Sequence, residues 1–166
     1  MYTSRIDGGE MNRLRTIIMQ VGVGLGVMIL LYLMAFSLEY SVGYAQNYPE
    51  LAHMRGPVVF LVICALAAGT AILVLGFLLL ERVRRNIAFA PQTVKLLRAI
   101  AWISFGAVLP LLLLGIYTEA NVASSITNLY VYGLMALAFM LGNLFMLLAA
   151  LFQNAVSYKQ EVDLTV

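Results

Sequence analysis

The side chains that could perform chemistry are few in this chain, and their spacing matches no catalytic or metal-binding motif. There is one histidine and one cysteine among 166 residues. His53 has neither a second metal ligand at a useful spacing nor a serine in a recognisable hydrolase motif. Cys64 lies in an apolar stretch, which favours a small buried residue. We therefore expect a non-enzymatic protein without catalytic, cofactor-binding or metal-binding residues.

The elements that position these side chains are four long apolar windows. Hydrophobic residues make up 63% of the chain and charged residues 11%, against about half and a quarter in ordinary soluble domains. A bilayer core about 30 Å thick needs about 20 apolar residues per helix, and four windows reach that length: 17–38, 57–80, 99–117 and 129–152. We expect the first window to be a retained helix rather than a removed signal peptide. The sequence predicts an all-α polytopic membrane protein, a four-transmembrane-helix bundle forming one domain over 1–166.

The basic residues predict how the windows are oriented. Nine of the ten lie near one set of window ends: Arg5, Arg13, Arg15, Arg82, Arg84, Arg85, Lys95, Arg98 and Lys159. Because cytoplasmic loops collect Lys and Arg, we expect both termini, the loop 81–98 and the tail 153–166 to be cytoplasmic, and 39–56 to be a solvated outer loop. Tyrosines typical of the membrane boundary cluster near the other ends: Tyr40, Tyr44, Tyr48, Tyr117, Tyr130 and Tyr132.

The interiors of the windows argue against ion-coupled transport. Carriers and proton relays need ionisable groups at membrane depth, and the centres of all four windows have none. The most polar residues there are Gln20, Thr70, Ser104 and Asn143, each able to form a hydrogen bond between helices. An uncharged pore is not excluded by this pattern. A small transport or immunity-type membrane protein is therefore the alternative to a sensor or regulator.

Small residues predict where the helices pack closely, because in lipid close approach depends on them. The pairs Gly22 with Gly26 and Ala138 with Gly142 have G-x-x-x-G-type spacing, and the second window carries a similar stripe formed by Ala65, Gly69, Ile72 and Gly76. Packing within the chain explains these stripes, and a homodimer through one of them is the alternative. Pro110 removes a backbone donor inside the third window, which predicts a kink or a hinge.

The connection between the second and third windows is the strongest candidate for an interaction surface. Pro91 suits the first turn of a helix. On the helix that follows, Val94 and Leu97 share one face with Ile100, while Lys95 and Arg98 face away. This amphipathic segment could lie along the bilayer surface. Its arginines and those just before it anchor the topology on anionic lipid or, alternatively, dock a cytoplasmic protein.

The segments "NIAFAPQTVKLLRAIAW" and "EVDLTV" also resemble those of domain of unknown function family 2975, a group of uncharacterised bacterial four-span membrane proteins. Val162 stands where that family usually has Asn. Members are often encoded beside a small helix-turn-helix regulator, so the resemblance implies a sensor or regulator in the bacterial cytoplasmic membrane that engages such a partner, with no direct contact to nucleic acid. We expect the contact residues to be Asn86, Phe89, Leu97, Arg98, Asp163, Leu164 and Thr165.

Overall fold

The computed structural model describes residues 4–85, 90–122 and 126–164, with side chains for 17–85, 90–122 and 126–158. Across these ranges the chain forms four long helices and no strand: α1 (Ser4–Asn47), α2 (Arg55–Arg84), α3 (Pro91–Asn121) and α4 (Ile126–Leu164). A short 3-10 helix, Pro49–Met54, joins α1 to α2. All four helices are long and apolar enough to cross a membrane. The predicted all-α bundle of four membrane helices is confirmed.

Prolines and backbone caps set several helix ends. Pro49 follows Tyr48, whose φ of −129° and ψ of 78° are not helical, so α1 ends where the proline would interrupt its hydrogen bonds. Pro91 occupies the first turn of α3, where its missing N–H costs nothing, and Ala90 just before it is extended. Pro110 lies inside α3, and the helix continues through it.

The helices extend well beyond the apolar windows. Helix α1 contains 44 residues, about 66 Å at 1.5 Å per residue, roughly twice the thickness of a bilayer core. Where we expected a loop over 39–56, the structure has the last turns of α1, the 3-10 helix and the first residues of α2. The expected tail 153–166 continues α4 as helix through Leu164.

Each helix packs against the next in chain order, so α2 and α3 are the two inner helices. Helix α1 packs against α2 and the 3-10 helix, and within the described residues it has no backbone contact with α3 or α4. Helix α3 packs against both α2 and α4. Its buried residues recur every three or four positions, which is the period of one helix face. They are Thr93, Val94, Leu97, Ile100, Ala101, Ser104, Ala107, Leu111, Leu114 and Gly115.

Glycines permit close packing between helices of the same chain at one position in each of the three predicted stripes of small residues. A Cβ atom added to Gly26 on α1 would lie 3.1 Å from Leu73 on α2, and one added to Gly69 on α2 would lie 3.4 Å from Leu30 on α1. A Cβ atom at Gly142 on α4 would lie 2.7 Å from the ring of Phe105. These glycines therefore serve contacts between helices of the same chain, as expected for membrane bundles.

Candidate functional site

One end of the bundle, which we call the basic end, carries five cationic side chains from the end of α2, its C-cap and the start of α3. They are Arg82, Arg84, Arg85, Lys95 and Arg98. Beneath them an apolar cluster closes the bundle. Val94 and Leu97 of α3 pack there with Ala149 of α4, and partly buried side chains of α2 and α4 surround them. The basic end is therefore a packed core with a charged rim rather than an open mouth.

The face of α3 that packs and the face that points outward are cleanly separated at this end. Leu97 is 2% exposed and Ile100 is fully buried, whereas Lys95 and Arg98 are exposed. The predicted division of this segment into two faces is correct. Its apolar face, however, packs against α4 within the bundle, so this segment does not lie along the bilayer surface. The outward face is left as a polar surface.

Two hydrogen bonds connect the charged rim between helices. The Arg98 guanidinium donates from Nη2 to Gln153 Oε1, which joins α3 to α4. The Arg82 guanidinium donates from Nη1 to Gln92 Oε1 over 2.9 Å, which joins the end of α2 to the start of α3. Because an arginine presents five N–H donors, each of these side chains keeps donors for other acceptors.

Glu81 organises the arginines at the end of α2. Its Oε1 atom accepts hydrogen bonds from Arg84 Nη2 at 2.6 Å and from Arg85 Nε at 2.7 Å. Its Oε2 atom accepts from Gln20 Nε2 of α1 at 2.9 Å. The Arg84 and Arg85 side chains remain 43% and 67% exposed. The carboxylate therefore fixes the arginines without removing them from the surface, and it ties α1 to α2.

The seven predicted contact residues fall into four groups. Arg98 is exposed on α3. Leu97 belongs to the buried core, so its side chain supports the surface and is not itself open to a partner; this corrects its assignment as a contact residue. Asn86, Phe89 and Thr165 lie outside the described residues. Asp163 and Leu164 are in the last turn of α4, for which the structure describes the backbone alone.

The packing register places the start of α3 and the end of α4 at the same end of the bundle. Gly115 meets Tyr132, Phe105 meets Gly142, and Arg98 meets Gln153, so the two helices are antiparallel. Extending this register places Pro91 at the level of about residues 156–160 on α4, since both helices rise equally per residue. Both predicted interaction segments therefore reach the basic end.

The opposite end contains polar contacts that the sequence did not reveal. Nε2 of His53 lies 3.4 Å from Asn121 Oδ1, and its Nδ1 lies 2.9 Å from the Glu50 carbonyl. Thr118 and Asn128 join α3 to α4 through a contact of 2.6 Å between Oγ1 and Oδ1. His53 and Asn121 are far apart in sequence, and Thr118 and Asn128 are on different helices, so spacing alone gives no signal for these two pairs. Among the described residues, no three of the His, Cys, Asp and Glu side chains are grouped as a metal site would require.

The polar residues of the windows do not converge inside the bundle. Gln20 binds Glu81 at the basic end. Ser104 is fully buried and donates to the carbonyl of Ile100 in its own helix. Asn143 is exposed and donates to the carbonyl of Phe139, also in its own helix. Their positions give no support to the alternative of a transport path through the bundle.

The chain matches one known protein family. Residues 40–166 match the model of a family described as a protein of unknown function (DUF2975). This range includes the 3-10 helix, α2, α3, α4 and the last turns of α1, and with them both segments of the basic end. No curated protein and no solved structure matches the chain. Because the matched range covers most of the chain, the protein belongs to the DUF2975 family.

Proposed function

We propose that this protein is a non-enzymatic regulator located in a bacterial cytoplasmic membrane, with its basic end facing the cytoplasm. The proposal depends most on one observation: Lys95 and Arg98 are exposed on a helix whose other face is locked into the core. A rigid helix fixes the backbone positions from which these charged side chains extend, and such preorganisation favours recognition of a folded partner. The excess of basic residues at this end supports the orientation.

The partner we propose is a small helix-turn-helix protein, as the family resemblance implies. Such proteins use a basic face to hold DNA phosphates. Two basic faces repel each other, so the partner would dock on Lys95 and Arg98 through a different, acidic face. Docking would hold the regulator at the membrane. This would either limit its access to DNA or, because its DNA-binding face is not the docking face, leave that face free to bind DNA there. The membrane protein itself would make no contact with nucleic acid.

A homodimer is compatible with this proposal. Gly22 on α1 and Gly76 on α2 have no side chain within 4 Å of an added Cβ, so they are positions where a second copy could approach closely. The two glycines are on α1 and α2, whereas Lys95 and Arg98 are on α3. The partner surface would therefore remain open in a monomer and in such a dimer.

Site-directed photocrosslinking in cells tests the proposed function. A photoreactive amino acid is placed at Lys95, on the basic end, or at Tyr48, which is 54% exposed at the opposite end. The expected result is a crosslink from position 95 to the proposed partner, the helix-turn-helix protein encoded beside the gene, and no crosslink from position 48. Absence of a crosslink at position 95 when both proteins are present, or equal crosslinking at both positions, contradicts the proposal.

A further inference from the structure

A cavity of about 400 Å³ lies at the end of the bundle away from the basic end. Residues of α1, the 3-10 helix, α2, α3 and α4 line it. Helix α1 packs on α2 but has no backbone contact with α3 or α4 in the described ranges, so side chains at these helix ends leave a space between them. The volume is near the lower end of the range of small-molecule sites, about 300–1,000 Å³.

On the α1 side, small side chains line the cavity and occupy little of its space. Ser37, Ser41 and Ala45 follow one another at intervals of four and line the cavity. Both serine hydroxyls donate back to carbonyls of α1, Ser37 to Met34 over 2.8 Å and Ser41 to Leu38 over 2.7 Å. This leaves a low, mildly polar strip along α1. The rings of Tyr40 and Tyr44 flank the strip.

The wall on the α2 side is aliphatic. Met54, Val58, Val59 and Val62 line it, and Met54 is 6% exposed. These side chains offer no strong hydrogen-bonding group, so water in this part of the cavity would lose partners that it has in bulk. Moving an alkyl chain from water into the cavity is favoured by about 0.8 kcal/mol for each CH₂. A chain that enters from the bilayer gains no such contribution, so binding in preference to lipid depends on polar contacts.

One charged residue completes the cavity. Arg55 is the one charged side chain among the described residues that line it. Its Nε atom donates to Ser41 Oγ over 3.3 Å, and this contact uses one of the five donors of the guanidinium. The side chain is exposed, so the remaining donors are within reach of a ligand at the cavity rim. A carboxylate is well suited to this group because a guanidinium can hold it through two parallel hydrogen bonds.

We propose that this cavity binds a single-chain amphipathic anion, a long-chain fatty acid, with its alkyl chain along the α2 valines and its carboxylate on Arg55. An aliphatic wall and one cation at the rim complement the two parts of such a molecule. The volume admits one chain rather than the two chains of a phospholipid. This site is independent of the proposed partner surface, which lies at the other end of the bundle.

Equilibrium binding of radiolabelled palmitate to the full chain in nanodiscs of zwitterionic lipid tests the proposal. Empty nanodiscs measure partition into the bilayer. We expect saturable binding of one palmitate per chain. Arg55→Gln should weaken it about tenfold, since a charge-assisted contact is lost. Arg82→Gln, which changes an arginine bonded to a glutamine at the basic end, should leave it unchanged.

A second pair of variants tests the alkyl part of the site. Val59→Phe fills the cavity, whereas Val42→Phe adds the same ring to an α1 position that does not line it. Binding should fall for Val59→Phe but not for Val42→Phe, and unlabelled hexadecanol should displace palmitate about tenfold less effectively than unlabelled palmitate does. Equal binding by wild type and Arg55→Gln overturns the proposal, even if Val59→Phe fails to fold. Displacement by hexadecanol or by a two-chain anionic phospholipid as readily as by palmitate also overturns it.

Discussion

Gln20 of α1 and Glu81 of α2 are joined by a hydrogen bond of 2.9 Å between Nε2 and Oε2. Because the backbone of α1 packs on α2 and the 3-10 helix, this bond holds α1 to the bundle at the basic end. Gln20→Leu keeps much of the side-chain volume and removes the bond. We expect a loss of about 1 kcal/mol in the free energy of unfolding, measured by equilibrium unfolding in bicelles.

Asn143→Leu is the matched control for this prediction. Asn143 is a polar residue of a membrane window whose amide bonds the carbonyl of Phe139 in its own helix. Its replacement should change the free energy of unfolding by no more than about 0.5 kcal/mol. If both variants lost the same stability, the bond between Gln20 and Glu81 would have no special role in holding α1.

Gly142 and Gly133 on α4 should respond in opposite directions to alanine. A Cβ at Gly142 would lie 2.7 Å from the Phe105 ring, which is itself packed against the rings of Trp102 and Phe139. Gly142→Ala should therefore destabilise the bundle by about 1–3 kcal/mol. Gly133 has nothing within 4 Å of an added Cβ, so Gly133→Ala should stabilise it by about 0.5–1 kcal/mol. Thermal unfolding of both variants checks the difference, and equal shifts would refute the packing described for Gly142.

Substitutions at Leu97 and Lys95 should differ in their effect on stability, because Leu97 is in the core and Lys95 is on the proposed partner surface. Leu97 is 2% exposed, so Leu97→Ala should reduce the free energy of unfolding by about 2–5 kcal/mol. Lys95 is exposed on the other face, and Lys95→Ala should change stability by no more than about 0.5 kcal/mol. Denaturant unfolding provides the comparison. A neutral effect of Leu97→Ala would mean that this leucine is not part of the core.

The proposed orientation predicts which end reacts with a membrane-impermeant maleimide. In a Cys64→Ala background, Tyr48→Cys should be labelled in intact cells with a permeable outer envelope, because that end would face outward. Lys95→Cys should be labelled after the cytoplasmic membrane is opened. Labelling in the reverse order would place the basic end outside and remove the basis for a cytoplasmic partner.

Sequence patterns predicted the helices well, and they predicted one face of α3 correctly. Val94, Leu97 and Ile100 are buried while Lys95 and Arg98 are exposed, as the period of a helix requires. The same pattern left open whether the apolar face lies on the bilayer, and in the structure that face packs against α4. Leu97, one of the expected contact residues, is buried in that packing. Amphipathicity shows that a face avoids water, but it does not show whether lipid or another helix covers that face.

The position of α1 and the cavity beside it could not be predicted from the sequence. Inside a membrane, a helix face against lipid and a face against protein are both apolar, so hydropathy does not identify neighbours. The small residues at Ser37, Ser41 and Ala45 were a usable signal for a shallow strip on α1. That strip lines a cavity because Arg55 and the α2 valines lie opposite, which depends on how α1 and α2 pack.

The affinity of the purified protein in nanodiscs for the proposed partner, a helix-turn-helix protein encoded beside its gene as the family resemblance implies, tests the central claim most directly. The double substitution Lys95→Gln with Arg98→Gln removes two positive charges. It should raise Kd about tenfold or more, because attraction to the acidic face of the partner is lost. The control, Gln46→Glu with Asn47→Glu, makes the same change in net charge at two exposed positions of the opposite end, and its Kd should equal that of wild type. No measurable binding by wild type, or an equal rise in Kd for both variants, would contradict the account.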